Sequence, residues 1–290
     1  MPARTETRAA KLGSGRVRRE ADMPIHPTAI IHPDARIDES ADVGPYVIID
    51  GPVEIGPHVR VYGHAYLTGW TEIAADCQVH PFAVVGHLPQ DLAHGGGVSY
   101  CRIGEGTIIR EGVSIHRGTG ADTETVIGKR CFLMANAHVA HNCRLEDDVK
   151  MANGAMLGGH VRVGSGAFVS GAAGVHQFVR IGELAIVGGH AKAVMDVPPF
   201  TMTDKDGRFA GLNAVGTRRA GISVAERIEL KTAFRTLYRS GLPFREAVEV
   251  VAQTVETGPG QRLVAFLREP SRRGIAGAVR WPTAGWEESG

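Results

Sequence analysis

The sequence has few aromatic residues and almost no net charge. Phe, Trp and Tyr make up 6% of its 290 residues, and 32 Lys and Arg nearly balance 31 Asp and Glu, giving a formal net charge of +1. Such a balance offers no electrostatic argument for nucleic acid binding, and we expect none. The scarcity of aromatics, together with 38 glycines, excludes a bulky aromatic core and favours tight turns and thin layers.

Long apolar runs and paired cysteines are also missing. No stretch approaches the roughly 18 apolar residues that a membrane-spanning helix needs. The N-terminus lacks the apolar core of a secretory signal, so we expect no stable membrane insertion. The four cysteines are Cys77, Cys101, Cys131 and Cys143. Their spacing contains no CxxC pair and suggests no disulfide framework. This usage favours a reducing, cytoplasmic location.

Aliphatic residues recur with a period of six over most of the chain. A first run comprises Ile25, Ile31, Ile37, Val43, Ile49, Ile55, Val61, Leu67, Ile73, Val79 and Val85. The period returns at Ile103, Ile109 and Ile115, and then in Ile127, Leu133, Val139, Leu145, Met151, Leu157, Val163, Val169, Val175, Ile181 and Val187. Period six fits neither an α-helix nor a sandwich. It predicts a β-solenoid whose aliphatic residues point inward.

A second set of positions supports the solenoid. Small residues follow the aliphatic position by four, and they include three of the cysteines, Cys77, Cys131 and Cys143, which we interpret as core residues. Glycine often follows the aliphatic residue directly, as in Ile127-Gly128 and Val163-Gly164, and we interpret it as the residue that allows the corner.

The period resembles that of the hexapeptide-repeat family. The resemblance implies an all-β solenoid, a left-handed parallel β-helix, assembled as a trimer with active sites between subunits. We expect four segments. They are a disordered extension at 1–22, the β-helix at 23–199 with loops at 86–102 and 116–126, a linker and C-terminal α-helical cap domain at 200–270, and a disordered tail at 271–290.

The cap is predicted from its helix signals. Residues 200–221 are interpreted as a linker. Ser223 and Glu226 form a capping box before the first helix, and 243–256 and 260–269 are predicted as two more. Such a cap covers the open end that a solenoid would otherwise expose.

Four histidines gather in the last repeat run: His138, His141, His160 and His176. With coils of about 18 residues, His141 and His160 come within one residue of vertical alignment, which predicts a file of histidines along one edge. A neutral imidazole suits a general base. The backbone N–H of Gly159 beside it suits an oxyanion donor. Exposed turn histidines without a function are the alternative.

Two other classes of function stay open on the histidines alone. Three of them can bind zinc and activate water, as in the hexapeptide-repeat carbonic anhydrases, but the spacing of His138 and His141 is not diagnostic. We expect no metal and no cofactor. A non-catalytic β-helix scaffold is the other class, and it would tolerate the loss of His141.

A series of short strings resembles the acyl-[acyl-carrier-protein]–UDP-N-acetylglucosamine O-acyltransferases, which begin lipid A biosynthesis. Any one string is weak, but they occur in that family's order over about residues 25–270. They are Ile25-His-Pro-Thr-Ala29, Gln90-Asp-Leu92, Ile115-His-Arg-Gly-Thr119, His138-Val-Ala-His141, Gly159-His-Val161, Val175-His-Gln-Phe178, Asp196-Val-Pro-Pro199, Gly211-Leu-Asn213, Gly216-Thr-Arg-Arg219 and Tyr238-Arg-Ser-Gly241.

The resemblance implies a reaction and the residues that perform it. An (R)-3-hydroxyacyl chain would pass from acyl carrier protein to the 3-hydroxyl of UDP-N-acetylglucosamine in a homotrimer. His141 matches the general base and Gly159 the oxyanion donor. Gly189 matches the position that sets acyl length, and glycine there favours a long chain. The implied substrate-binding residues are Gln90, Asp91, His116, His138, His160, His176, Gln177, Asn213 and Arg219.

Three positions depart from that family's pattern. Ala93 stands where a Lys is usual, Asn142 where an Asp follows the base, and Val215 where a Glu is common. They leave as an alternative a paralogous hexapeptide acyl- or acetyltransferase on another sugar nucleotide, with coenzyme A as donor. Basic residues of the first cap helix either meet an acidic carrier protein or form a solvated face: Arg227, Lys231, Arg235 and Arg239.

Overall fold

A computed structural model describes residues 24–277, which form 27 strands followed by four helices. The extension at 1–22 and residues 278–290 of the tail lie outside the described residues. None of the helices in the described part is both long and apolar enough to cross a bilayer.

The strands are short and closely spaced. The first half comprises β1 (Ile30–Ile31), β2 (Arg36–Ile37), β3 (Asp42–Val43), β4 (Ile48–Asp50), β5 (Glu54–Ile55), β6 (Arg60–Val61), β7 (Tyr66–Thr68), β8 (Trp70–Ile73), β9 (Gln78–Val79), β10 (Val84–His87), β11 (Tyr100–Ile103), β12 (Ile108–Ile109) and β13 (Ser114–His116). The second half comprises β14 (Glu124–Ile127), β15 (Phe132–Leu133), β16 (His138–Val139), β17 (Arg144–Leu145), β18 (Lys150–Met151), β19 (Met156–Leu157), β20 (Arg162–Val163), β21 (Phe168–Val169), β22 (Gly174–Val175), β23 (Arg180–Ile181), β24 (Ile186–Val187), β25 (Lys192–Ala193), β26 (Thr201–Thr203) and β27 (Phe209–Leu212).

The chain visits three parallel sheets in turn. The first sheet runs β1-β4-β7-β10-β13-β16-β19-β22-β25, the second β2-β5-β8-β11-β14-β17-β20-β23, and the third β3-β6-β9-β12-β15-β18-β21-β24-β26-β27. Neighbours in a sheet are one coil apart in sequence, so that Arg144 pairs with Arg162 and Leu145 with Val163. This arrangement confirms the parallel hexapeptide-repeat architecture.

The predicted aliphatic positions form the core. Ile109, Leu133 and Val139 are each fully buried, and one continuous cluster of such residues runs along the three sheets. All four cysteines are buried and unpaired. This confirms the prediction that Cys77, Cys131 and Cys143 are core residues, and Cys101 lies in the same core. Burial raises the pKa of the Cys101 and Cys143 thiols to about 12, so neither is a reactive thiolate at neutral pH.

Glycines after the aliphatic residue serve a different purpose from the predicted one. Gly128 and Gly164 do not have positive φ angles, so they are not needed for the turn conformation. A Cβ on Gly128 would meet the carbonyl carbon of Glu146 at 2.5 Å, and one on Gly164 the backbone nitrogen of Glu183 at 2.5 Å. Their role is to let the next coil pack closely.

Both loops are present, and each is shorter in the structure than the range predicted from the sequence. Strand β10 continues to His87 and β11 begins at Tyr100, which leaves residues 88–99 as the first loop. Strand β13 ends at His116 and β14 begins at Glu124, which leaves 117–123 as the second.

The segment predicted as a linker is mostly regular structure, because β26 and β27 form an antiparallel hairpin at the end of the third sheet. The helices follow as α1 (Ala214–Arg219), α2 (Val224–Arg239), α3 (Phe244–Thr254) and α4 (Gly258–Arg268). The capping box is confirmed, since Ser223 Oγ accepts the Glu226 N–H at 3.3 Å and Glu226 Oε2 accepts the Ser223 N–H at 2.7 Å.

The helices share a core with the end of the solenoid. Phe200 is fully buried in a cluster with Leu230, Phe234 and other helix residues. The prediction of a disordered tail from residue 271 is wrong for 271–277, because Ile275 pairs with Asp196 and the Tyr238 hydroxyl donates to the Ala276 carbonyl at 3.0 Å.

Candidate active site

The chain passes from the first sheet to the second at a corner that contains the predicted catalytic residues. We call residues 140–142, 158–160 and 176–178, from three successive coils, the histidine corner. Because the coils stack, His141 and His160 meet edge to face, with ring centroids 5.2 Å apart and an interplanar angle of 89°.

Asn142 and the backbone around it orient His141. The His141 Nδ1 lies 2.9 Å from Asn142 Oδ1, which also accepts the backbone N–H of Thr119 at 3.0 Å. An amide oxygen only accepts, so Nδ1 carries the proton and donates. Nε2 is then unprotonated, and it lies 3.8 Å from Asp91 Oδ2, too far for a hydrogen bond. A lone pair is therefore available at this corner to a bound hydroxyl.

Asp91 reaches the corner from the first loop and is held there by the second. Its Oδ1 accepts the Ala93 N–H at 3.0 Å, and its Oδ2 accepts the Thr119 hydroxyl at 2.9 Å. The hydrogen bond from the Ala93 N–H is the largest cause that holds the pKa of the Asp91 carboxyl below its usual value, and the bond from the Thr119 hydroxyl is the second. The carboxylate is ionised at neutral pH and is placed to accept a second hydroxyl of a bound ligand.

Gly159 lies directly beneath the His141 ring. A Cβ built on Gly159 would meet His141 Cε1 at 2.5 Å and Nε2 at 2.6 Å, so glycine is required for the ring to take this position. The Gly159 N–H makes no hydrogen bond to any residue that the structure describes. A donor without a partner, next to the basic nitrogen, is the geometry expected of an oxyanion donor.

His160 closes the other side of the corner. Its ring stacks on Phe178 with centroids 4.6 Å apart. Burial is the largest cause that lowers the pKa of His160, and the neighbouring His141 and Arg272 lower it further. His160 is therefore neutral at pH 7 and offers a hydrogen bond rather than a charge.

His138 and His116 form a second group, on β16 and β13 of the first sheet. Their ring centroids are 5.3 Å apart, and His138 Nδ1 lies 2.8 Å from Ser114 Oγ. Burial lowers the pKa of His138 to about 4. Burial also lowers the pKa of His116, whose Nδ1 contacts the Leu88 carbonyl. Both rings are neutral hydrogen-bonding groups, and His138 lies three residues before His141 in the sequence.

Within residues 24–277, the possible metal-ligating groups are the side chains of His, Cys, Asp and Glu. No three His, Cys, Asp or Glu side chains of that range are arranged to share an ion. The contacts of His141 are instead with an amide, a carboxylate at 3.8 Å and another imidazole.

Two family descriptions match this chain. One, "Udp N-acetylglucosamine O-acyltransferase; Domain 2", covers residues 196–276, and the other, "Bacterial transferase hexapeptide (six repeats)", covers 124–159. A curated relative from Gloeothece citriformis, an acyl-[acyl-carrier-protein]–UDP-N-acetylglucosamine O-acyltransferase, is 47% identical over 85% of this chain and 90% of its own length. The chain belongs to the UDP-N-acetylglucosamine O-acyltransferase family.

Other relatives of this family agree. The acyltransferase of the same name from Thermodesulfovibrio yellowstonii is 42% identical over 87% of this chain and 98% of its own. Among solved structures, the UDP-N-acetylglucosamine acyltransferase of Francisella novicida aligns with a TM-score of 0.85 at 31% identity, over 88% of this chain and 95% of its own. The Moraxella catarrhalis O-acyltransferase aligns at 0.82 and 37%, over 88% and 100%.

Several residues that the resemblance assigned to substrate binding lie at the rim of the corner. Gln90, His176 and Gln177 are exposed. His176 Nδ1 is 3.3 Å from the Gln177 carbonyl, which accepts Arg273 Nε at 2.8 Å. Of the four histidines predicted to align along one edge, only His141 and His160 are in contact with each other. His138 and His176 lie outside this pair.

Asn213 and Arg219 lie on the cap, away from the histidine corner. Asn213 caps α1: its Oδ1 accepts the Gly216 N–H at 2.8 Å and its Nδ2 donates to the Leu184 carbonyl at 2.8 Å. These bonds engage both ends of its amide and hold the hairpin against the solenoid. Arg219, in the last turn of α1, is exposed.

Gly189 lies at a different corner, where the chain passes from the third sheet to the first. The nearest atom to a Cβ built there is the Gly171 carbonyl oxygen at 3.8 Å, so a larger side chain fits. Within one chain, Gly189 precedes a strand of the first sheet and His141 follows one, so the two residues lie at opposite ends of that sheet's strands.

The residues missed from the sequence are hydrogen-bond partners of the candidate catalytic and binding groups. Thr119 fixes both Asn142 and Asp91, and Ser114 fixes His138. Ser114 was detectable, because it pairs with His138 in the outward position of neighbouring strands. Thr119 ends one of the family strings, but its two contacts were not detectable, since it lies in a loop without a period.

Proposed function

We propose that this protein transfers a 3-hydroxyacyl chain from acyl carrier protein to the 3-hydroxyl of UDP-N-acetylglucosamine, with His141 as general base. The observation that carries the proposal is the oriented imidazole, whose Nδ1 donates to Asn142 and whose Nε2 lies beside the unbonded N–H of Gly159. The curated relatives carry the name of this activity and not that of the alternative on another sugar nucleotide.

The corner supplies each group that an acyl transfer requires. Nε2 of His141 takes the hydroxyl proton as the sugar oxygen attacks the thioester carbonyl carbon. The carbonyl oxygen becomes an oxyanion, which the Gly159 N–H stabilises. When the intermediate collapses, the carbon–sulfur bond breaks and the His141 imidazolium returns its proton to the leaving thiolate, so acid and base are regenerated.

Neighbouring groups hold the sugar in our proposal. Asp91 accepts a sugar hydroxyl, and the neutral rings of His160, His138 and His116 position the acceptor. Gln90, His176 and Gln177 contact the sugar nucleotide at the rim. Ala93 contributes only its backbone N–H to Asp91, so the charge of the usual Lys has no substitute at that position.

The assembly that completes the site is a homotrimer of left-handed β-helices, in the cytoplasm. Gly189, Asn213 and Arg219 do not face His141 in one chain, and a neighbouring subunit would bring them to its corner. Gly189 then borders the acyl chain, whose length it sets, and Arg219 meets the diphosphate through its planar donors.

Mass spectrometry of the product tests the proposal. Purified protein receives UDP-N-acetylglucosamine with 3-hydroxyacyl carrier proteins of several chain lengths, and in parallel with the acyl-coenzyme A esters. We expect one O-acylated sugar nucleotide, formed from the carrier and from a long chain. The His141→Gln variant should lose roughly a hundredfold to ten-thousandfold in rate, and Gly189→Met should shorten the preferred chain.

The matched control is His58→Gln, which changes another corner histidine, exposed and on a remote coil. It should keep wild-type activity. Turnover by His141→Gln at the wild-type rate would refute the mechanism, and an unchanged chain length in Gly189→Met would refute the role of Gly189.

A further inference from the structure

A cleft with excess positive charge opens beside the histidine corner. It has a volume of about 510 Å³ and lies between the second sheet and the segment that follows α4. Asn142, His160 and Phe178 of the corner line one end of it. A group bound there would be in contact with residues that touch His141, yet neither the reaction above nor the family strings assign it a ligand.

Three arginines on adjacent strands form one wall. Arg144, Arg162 and Arg180 occupy the same position on β17, β20 and β23 and pair in register. Strands in a sheet are about 4.8 Å apart, so these like charges are close neighbours. Arg272 approaches from the other side, with its guanidinium 4.7 Å from the centroid of the Phe178 ring.

The carboxylates around the cleft do not balance these charges. Glu124 pairs with Arg144 at 2.9 Å. Glu269 is shared, with its oxygens 3.1 Å from Arg162 and 2.9 Å from Arg180. Asp196 lies behind Arg180 at 2.7 Å and is fully buried. Four guanidinium groups therefore face three carboxylates, and Arg272 pairs with no carboxylate in the part of the chain that the structure describes.

Arg180 has donors with no acceptor. Its side chain is only 9% exposed. Nε is satisfied by Asp196, but Nη1 meets Glu269 without the alignment of a hydrogen bond, and Nη2 has no partner among residues 24–277. Buried guanidinium donors without an acceptor are costly, so Asp196 and Glu269 only partly compensate the charge of Arg180.

We propose that this arginine cleft binds the phosphate ester of a substrate. Guanidinium groups match the oxygens of a phosphate by paired hydrogen bonds, and the cleft presents those of Arg144 and Arg162 on one wall and Arg272 opposite. The proposal rests on the proposed function, because that reaction brings two phosphate esters to His141. One is the phosphodiester of the carrier's pantetheine arm, and the other is the diphosphate of the sugar nucleotide.

Binding measurements distinguish the two sources without any turnover. Calorimetry compares 4′-phosphopantetheine with pantetheine, and UDP with uridine, so that each pair differs by its phosphate. For one of the two pairs, we expect the ratio of affinities with and without the phosphate to be about tenfold smaller in Arg272→Gln than in the wild type. Arg272→Lys should recover part of it, because it restores the charge without the planar donors.

Arg36→Gln is the matched control. Arg36 lies on the same sheet, on a remote coil, and pairs with the exposed Glu54 at 3.1 Å. It should leave both phosphate ratios at their wild-type values. Equal losses of phosphate affinity in Arg36→Gln and Arg272→Gln would show an effect of overall charge and contradict the site. The site would also be contradicted if Arg272→Gln left both phosphate affinity ratios unchanged, or if the wild type bound neither phosphate compound.

Steady-state kinetics assigns the phosphate to its substrate. A donor phosphate predicts a higher KM for the acyl carrier in Arg272→Gln with an unchanged KM for UDP-N-acetylglucosamine, and an acceptor phosphate predicts the reverse. If the wild type makes no acylated product but the Arg272-dependent phosphate ratio holds, the proposed function fails and the cleft stands. If product forms and the ratio is the same in Arg272→Gln, the cleft alone fails.

Discussion

At the scale of single residues, the side chain that orients the proposed base His141 is neutral. Asn142 fixes the tautomer of His141 as a carboxylate would, but it adds no negative charge. In Asn142→Asp, the added negative charge would stabilise the protonated imidazolium beside it. In the proposed mechanism His141 acts in its neutral form, so we expect the acid limb of the kcat/KM profile to move to higher pH, which pH-dependent kinetics measures.

Gln261→Glu makes the same change from an amide to a carboxylate at an exposed position on α4. Its profile should overlay that of the wild type. An acid limb that stays in place in Asn142→Asp would mean that His141 is not the group titrating in that profile.

Burial of His138 has a consequence for stability. Burial lowers the pKa of its ring from 6.5 to about 4. Between these two values the unfolded chain takes up a proton that the folded chain does not, so the free energy of unfolding falls as the pH drops through this window. Above it both states are neutral and the ring has no effect.

His138→Gln should therefore lose less stability than the wild type between pH 6.5 and 4. The amide can still hydrogen-bond to Ser114, so the comparison isolates the titration. Urea unfolding midpoints across this range provide the measurement. An equal loss in both proteins would assign the acid sensitivity to other groups.

At the scale of elements, Thr119 links the two loops to each other and to the histidine corner. Thr119 donates its hydroxyl to Asp91 and its backbone N–H to Asn142. Thr119→Val removes the hydroxyl at nearly constant volume. A hydrogen bond to a charged group is worth about 1.5–3 kcal/mol, so we expect kcat/KM to fall by about tenfold or more.

Thr119→Ser retains the hydroxyl and should stay close to wild-type activity. Steady-state kinetics on the two variants, with their melting temperatures, separates a loosened loop from a destabilised fold. Similar kinetics in Thr119→Val and Thr119→Ser would show that the hydroxyl does not position Asp91.

At the scale of the whole molecule, one side of the solenoid exposes apolar side chains. On the first sheet, Ile30 is 64% and Met156 49% exposed. At its corner with the third sheet, Tyr46 and Phe82 are 58% and 65% exposed and stack on His64 from either side, at 5.1 and 5.3 Å. An apolar side of this kind fits the homotrimer that we propose.

Phe82→Glu should disrupt that assembly, because a trimer would bury the added charge without a partner. Sedimentation equilibrium should show smaller species and the acyltransfer assay a loss of rate, since the proposed site needs two subunits. Val250→Glu, on the exposed side of α3 at 40% exposure, is the control and should remain a trimer. A stable trimer of Phe82→Glu would place the interface elsewhere.

Much of the fold was predictable from local pattern. A period of six requires that residues such as Leu145 and Val163 stack on the same inward face, and Ser223 with Glu226 marks a helix start without reference to the rest of the chain. The hairpin at β26–β27 was missed because its strands follow the repeat without sharing its period. Residues 271–277 were missed because their order depends on distant partners such as Asp196 and Tyr238.

The sequence by itself determined the three-sheet repeat, its core positions and the closeness of His141 to His160, because each follows from a fixed number of residues per coil. Only the tertiary structure decided which ring nitrogen of His141 is free, that Asp91 and Thr119 reach it from two loops, and that Arg272 completes a cleft beside it. The physical reason is that loops and the chain beyond the solenoid have no period, so their positions depend on specific long-range contacts.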